Sequence, residues 1–204
     1  LNYRKQSAQK LPLASWDGHP YWFALTEKLT AAGDQFVAVA RDEAIASLPQ
    51  YAHDEGVMDE AYFSSVIEGA YSTRQRAHEL LASNEPPQNR NEQMIYNNYH
   101  ALRFVLEHLD GPINEAVILE IARILTANTL EEGVTSGYRD AGVQVVSGRQ
   151  EVVYVAPKAQ YVKPMMNALL NYIADPTVHP VIKACVAHIY FVTIHPFFDG
   201  NGRT

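Results

Sequence analysis

Residues Pro180 to Ile194 form the run that most limits how this chain folds. Val181, Ile182, Ala184, Val186, Ala187, Ile189, Tyr190, Phe191 and Val192 leave almost no polar face. A helix apolar nearly all round belongs in the middle of a packed domain. The spacing therefore predicts a central, buried helix that ends at His195. Pro196 stops it, because a residue before proline disfavours the α region. The one cysteine, Cys185, falls in this run and reads as an inert core thiol.

The helix delivers His195 to the segment Pro196-Phe197-Phe198-Asp199-Gly200-Asn201-Gly202-Arg203-Thr204. Gly200 and Gly202 lack a β-carbon and let backbone N–H groups come close to an anion. A helix beginning after Arg203 would add its N-terminal dipole. Arg203 offers a planar fork of donors suited to phosphate. Asp199 is a hard oxygen ligand for magnesium. His195 titrates near neutrality and can take a proton from a hydroxyl. The same residues also suit a plain Asp-Gly-Asn-Gly turn. A calcium loop does not fit, because Phe197 stands where an oxygen ligand is required. The chain has no Walker-type loop either.

His-Pro-Phe-x-Asp-Gly-Asn-Gly-Arg resembles the signature of Fic-domain proteins at all eight specified positions. The family signature continues to a second arginine, two residues after Thr204. The resemblance implies a core over residues 89–204, cut just after the signature loop, and leaves the activity of such a fragment open. It further implies an all-α, mainly helical Fic fold with one small β-hairpin flap. The implied activity is transfer of AMP from ATP, with Mg2+, to a Ser, Thr or Tyr hydroxyl of a target protein. His195 would then be the base and Asp199 the metal ligand. Gly200, Asn201, Gly202, Arg203 and Thr204 would complete the phosphate site.

Two other segments resemble the family. Ser64-Ser65-Val66-Ile67-Glu68-Gly69 matches its inhibitory motif, with Ser64, Glu68 and Gly69 at the defining positions. Residues 1–88 are expected to be an N-terminal helical region carrying it. Gly137-Tyr138-Arg139 resembles the segment before the flap that docks the target. Val143, Val145, Val152, Val153, Tyr154 and Val155 flank Ser147-Gly148-Arg149-Gln150 and read as a hairpin. In the family such a flap aligns a target segment by main-chain pairing. Relatives that move a different phosphate-containing group, or remove AMP, remain alternatives, as does a non-catalytic nucleotide-binding regulator.

The rest of the chain reads as helices between breakers. Residues 1–20 are expected to be irregular, with helices following over 21–32, 35–47 and 59–82. Asn89 is the expected N-cap of another, with Glu92 completing a capping box. Asn114 caps a helix expected to reach Leu130. A further helix covers 158–174, its start moving to near Lys163 if Pro164 sits in the first turn. The 204 residues carry a net charge of −7, which argues against nucleic acid or an anionic membrane as the main partner. A lone cysteine and no secretory signal or membrane span point to a cytoplasmic protein. Self-modification and a homodimer are left open. The histidines other than His195 show no zinc spacing and receive no role.

Overall fold

A computed structural model describes residues 8–24, 27–41, 47, 49–83 and 85–204. The chain forms two compact units, each assembled from separate stretches. One comprises residues 1–48 and 140–195; the other comprises 49–139 and 196–204. The boundary expected at residues 88–89 falls inside the second.

The first unit opens with a hairpin where an irregular segment (1–20) and the first residues of a helix (from 21) were expected. Strand β1 (Ala8–Ala14) pairs antiparallel with β2 (Pro20–Ala24), with Ala14 opposite Pro20. The breakers Gly18 and Pro20 mark its turn and strand start rather than disorder. One helix, α1 (Glu27–Ala40), replaces the two expected on either side of Gly33. A β-carbon on Gly33 would stand 3.0 Å from the His179 ring, so this glycine serves close packing and not a break. The expected end of the second helix, beyond Arg41, lies outside the described residues.

The same unit holds the predicted second hairpin, β3 (Gln144–Val146) and β4 (Val152–Val155). A single 3₁₀ turn (Ala159–Tyr161) then leads into α6 (Val162–Ala174), with Pro164 in the first turn as expected. Helix α7 (Pro180–Ile194) follows, capped by the His179 ring, whose Nδ1 accepts from Val181 N–H at 3.3 Å. Val162, Met165, Met166, Leu169 and Tyr172 bury the inner face of α6, which packs against α7 and β1.

Helix α7 departs from the expectation of full burial. Only Tyr190, Phe191 and Ile194 are buried. Ile189 is 64% exposed, and Cys185 is exposed rather than a core thiol. Both line an apolar groove of about 290 Å³ with Leu11 and Leu13. Composition alone cannot tell which arc of an apolar helix its neighbours cover.

The second unit is helical among its described residues. Helix α2 (Gln50–Ile67) packs on α3 (Arg74–Ser83) and on α4 (Arg90–Glu107), which packs in turn on α5 (Glu115–Leu125). Ala61, Ala70, Ala77, Leu81, Met94 and Ile95 form one core, and Ala101, Ile121 and Leu125 a second. Asn89 and Asn114 cap α4 and α5 as expected, accepting from Glu92 N–H and Val117 N–H. The Glu92 carboxylate reaches back to Gln88 N–H and Arg76 instead of closing the box on Asn89.

Helix α2 begins at Gln50 rather than 59, and two helix C-termini also differ from expectation. The helix expected over 59–82 is interrupted after Ile67, and α5 stops at Leu125 rather than Leu130. The first break is a Schellman ending. Gly69, at φ +96°, donates to Val66 O, and Ala70 N–H donates to Ser65 O. Ala70 is buried, so the chain turns inward there. At the second break the Thr126 hydroxyl donates to Ala122 O, and Asn128 adopts φ +59°.

Candidate active site

The signature segment folds as a tight loop held by its own asparagine. Asn201 Oδ1 accepts from Phe197 N–H at 2.8 Å, and its Nδ2 donates to Phe197 O at 2.9 Å. Phe197 is 1% exposed and packs on Tyr138, ring centroids 5.6 Å apart. Arg139 N–H donates to Pro196 O at 2.9 Å. The segment 137–139, which resembles the family's approach to the flap, thus anchors the loop's root. The Asn201 side chain is a loop brace here, so only its main chain is left to face an anion.

Past Asn201 the chain makes one helical turn. Gly200, at φ +82°, accepts at its carbonyl from the N–H groups of Arg203 and Thr204 and from the Thr204 hydroxyl. In such a turn the leading N–H groups, here of Asn201 and Gly202, have no partner within the turn. Such N–H groups are the kind that can meet an anion. Gly200 sits close to Thr126, whose Cγ2 would lie 3.4 Å from an added β-carbon.

Helix α4 holds this wall in place with polar side chains. Asn97 Nδ2 donates to Leu125 O and Ala127 O, and Arg90 Nε donates to Thr129 O. Asn98 Nδ2 donates to Ala61 O and Ser65 Oγ, tying α4 to the end of α2. These three positions went unassigned in the sequence, because their partners lie far away along the chain. Their polarity on the inner face of α4 was the only available signal.

Charge is concentrated around Asp199. Its Oδ1 accepts from Gly200 N–H at 2.6 Å and lies 3.4 Å from Arg203 Nη2. Its Oδ2 lies 3.7 Å from Arg90 Nη2. The Arg203 side chain is fully buried, and its Nε and Nη1 have no hydrogen-bond partner. Burial pulls its proton affinity down, while Asp199 and then Glu68 push it back up. An arginine stays cationic even so, leaving a buried cation with unmet donors.

Glu68 reaches the same loop. A β-carbon on Gly202 would overlap Glu68 Oε1, with Cδ at 2.7 Å. The Glu68 carboxylate therefore lies against the glycine expected to face a phosphate. Ser64 shares the face but bonds elsewhere, its hydroxyl donating to Glu60. Glu68 is set instead by its position as the C-cap residue of α2, one residue before Gly69.

His195 terminates α7 in the left-handed region, at φ +51° and ψ +61°, its N–H donating to Phe191 O. The hairpin flap stands on the same helix, with the Tyr154 hydroxyl donating to Thr193 O at 2.6 Å. Ser147 organises its turn by accepting from Arg149 and Glu151 N–H groups at Oγ. Val152, Val153 and Val155 are 51%, 61% and 61% exposed, while Val143, Val145 and Tyr154 are half-buried.

Residues 112–204 match the Fic/DOC family model. That match covers just under half of the chain. It is 33% identical over 113 residues to the protein adenylyltransferase fic-1 of Caenorhabditis elegans, covering 51% of this chain and 20% of that protein. To the probable protein adenylyltransferase aq_aa38 of Aquifex aeolicus it is 30% identical over 107 residues, covering 52% and 31%. The chain thus spans a third or less of these relatives. A Fic family protein from Desulfovibrio desulfuricans superposes with a TM-score of 0.75 at 26% identity, covering 89% of this chain and 55% of the other. Fic-1 from C. elegans gives 0.66 at 24%, a likeness of fold.

Proposed function

We propose that this protein transfers AMP from ATP to a Ser, Thr or Tyr hydroxyl of a target protein, and that Glu68 restrains it. The observation that carries this reading is the loop 199–203 itself. It has a buried arginine whose Nε and Nη1 lack hydrogen-bond partners, and leading N–H groups, with a carboxylate laid against Gly202 where an anion would sit. The relatives named adenylyltransferases support ATP as the substrate.

The target hydroxyl loses its proton to a ring nitrogen of His195, and its oxygen attacks the α-phosphorus. The bond from that phosphorus to the bridging oxygen breaks, and pyrophosphate leaves. Gly200 to Thr204 and Arg203 hold the phosphates and offset developing charge. Asp199 would hold magnesium as a hard oxygen ligand, one carboxylate sharing the cation with substrate phosphates. That cation would neutralise phosphate charge when bound. The exposed valines of β3–β4 offer an extended target segment a strand to pair with.

No described helix is long and apolar enough to cross a membrane, and we place the reaction in the cytoplasm. Self-modification and a homodimer are compatible with this scheme. The Glu68 carboxylate beside the loop also suits the reverse reaction, removal of AMP, in which it would help activate water. Incubation with α-labelled ATP and candidate targets tests the scheme. Label should enter protein with wild type and vanish with His195→Ala. Equal labelling by the variant would reject the role of His195. Mass spectrometry of the target identifies the group added or removed.

A further inference from the structure

Arg90 lies outside the sequence motifs that resemble the family and before the matched residues 112–204, yet it is the second guanidinium at Asp199. Its Nε is fixed on Thr129 O at 3.3 Å, which sets the direction of the fork. Its Nη2 stops 3.7 Å from Asp199 Oδ2, within ion-pair range but beyond a hydrogen bond. The side chain is 63% exposed, whereas Arg203 is fully enclosed. Arg90 also lines a polar groove of about 630 Å³ with Asn89, Gln93, Asn128 and Thr129.

One carboxylate therefore faces two cations. Arg203, inside the loop, can serve the phosphate seated on the leading N–H groups. That leaves the outer end of the Arg90 fork in only a long contact with Asp199 at the solvent side, where a second negative group can reach it. A monophosphate gives it none. A di- or triphosphate, or free pyrophosphate, does, and a guanidinium matches two phosphate oxygens at once.

We propose that Arg90 is a phosphate-chain residue, binding the part of a polyphosphate beyond the phosphate held by the loop. This rests on the nucleotide-binding reading above but not on the transfer step. Calorimetric titration of the full chain with ADP, inorganic pyrophosphate and AMP tests it. Arg90→Gln keeps a donor for Thr129 O and removes the charge, and Arg90→Lys keeps the charge. With Arg90→Gln, ADP and pyrophosphate should bind about tenfold more weakly while AMP changes less than twofold. Arg90→Lys should recover part of the loss. Equal weakening for AMP and ADP would show that Arg90 acts only by holding the 126–129 turn, and would overturn the proposal. So would unchanged binding of all three, or wild-type protein that fails to bind pyrophosphate. Wild-type protein that binds pyrophosphate selectively through Arg90 but labels no target would sink the transfer reading and leave this one standing.

Discussion

Helices α2 and α7 both end on a left-handed residue, but by different means. Helix α2 uses Gly69 at φ +96°, where the missing β-carbon removes the steric penalty. Helix α7 uses His195 at φ +51°, where an L-residue bears about 1 kcal/mol of strain. The first ending is built for stability and places Glu68 beside it. The second accepts strain to keep an imidazole at the head of the signature loop. Strain without a glycine is the better marker of chemistry.

Exchanging the two solutions should break the symmetry. His195→Gly should lower transfer by roughly 10²–10⁴-fold, the range of general base catalysis, while the urea midpoint holds or rises. A large loss of stability together with activity would mean that His195 is a structural cap. Removing the carboxylate that the α2 ending positions should act in the opposite direction. Glu68→Gly should raise transfer about tenfold, an effect of about 1.4 kcal/mol. Initial rates with saturating ATP measure it, and an unchanged rate rejects restraint by Glu68. Next in size, Gly69→Ala should cost about 1 kcal/mol in denaturant unfolding, because alanine resists the left-handed region. No loss there would mean the Schellman turn is not a stabilising stop.

The same contrast explains what the sequence disclosed. His195, Asp199 and the two loop glycines are neighbours along the chain, so their resemblance to a known signature was legible as a string. So were the hairpin at 143–155, from its valines, and the Asn89 and Asn114 caps. The Gly69 stop was not, since a glycine inside an apolar pattern reads equally as a tolerated helical residue. Gly33 shows the reverse case, continuing its helix because His179 leaves no room for a side chain. The burial of α7 was over-read because composition does not reveal which arc is covered. Arg90, Asn97 and Asn98 were silent for another reason: each meets its partner only after α4 packs on α2 and α5.

The smallest effect concerns how α2 is held on the far side of its ending. Asp59 on α2 accepts from Arg74 Nε at 2.6 Å and Nη2 at 2.8 Å, and lies 2.8 Å from His78 Nε2, both partners on α3. These contacts bridge the turn that contains Glu68 and Gly69. Arg74 first, and His78 second, hold the Asp59 carboxyl at about 2, below its ordinary 3.8. Between those values the unfolded chain binds more protons than the folded one. The stabilisation is therefore complete above about pH 4 and is lost as the pH falls toward 2. An ion pair this accessible contributes about 1 kcal/mol or less. Asp59→Asn should lower the unfolding free energy from urea denaturation at neutral pH by that amount, and the two unfolding curves should converge near pH 2. A difference that persists undiminished at pH 2 would mean the clamp works by packing rather than charge, and the α2 ending would then rest on Gly69 and the Asn98–Ser65 contact.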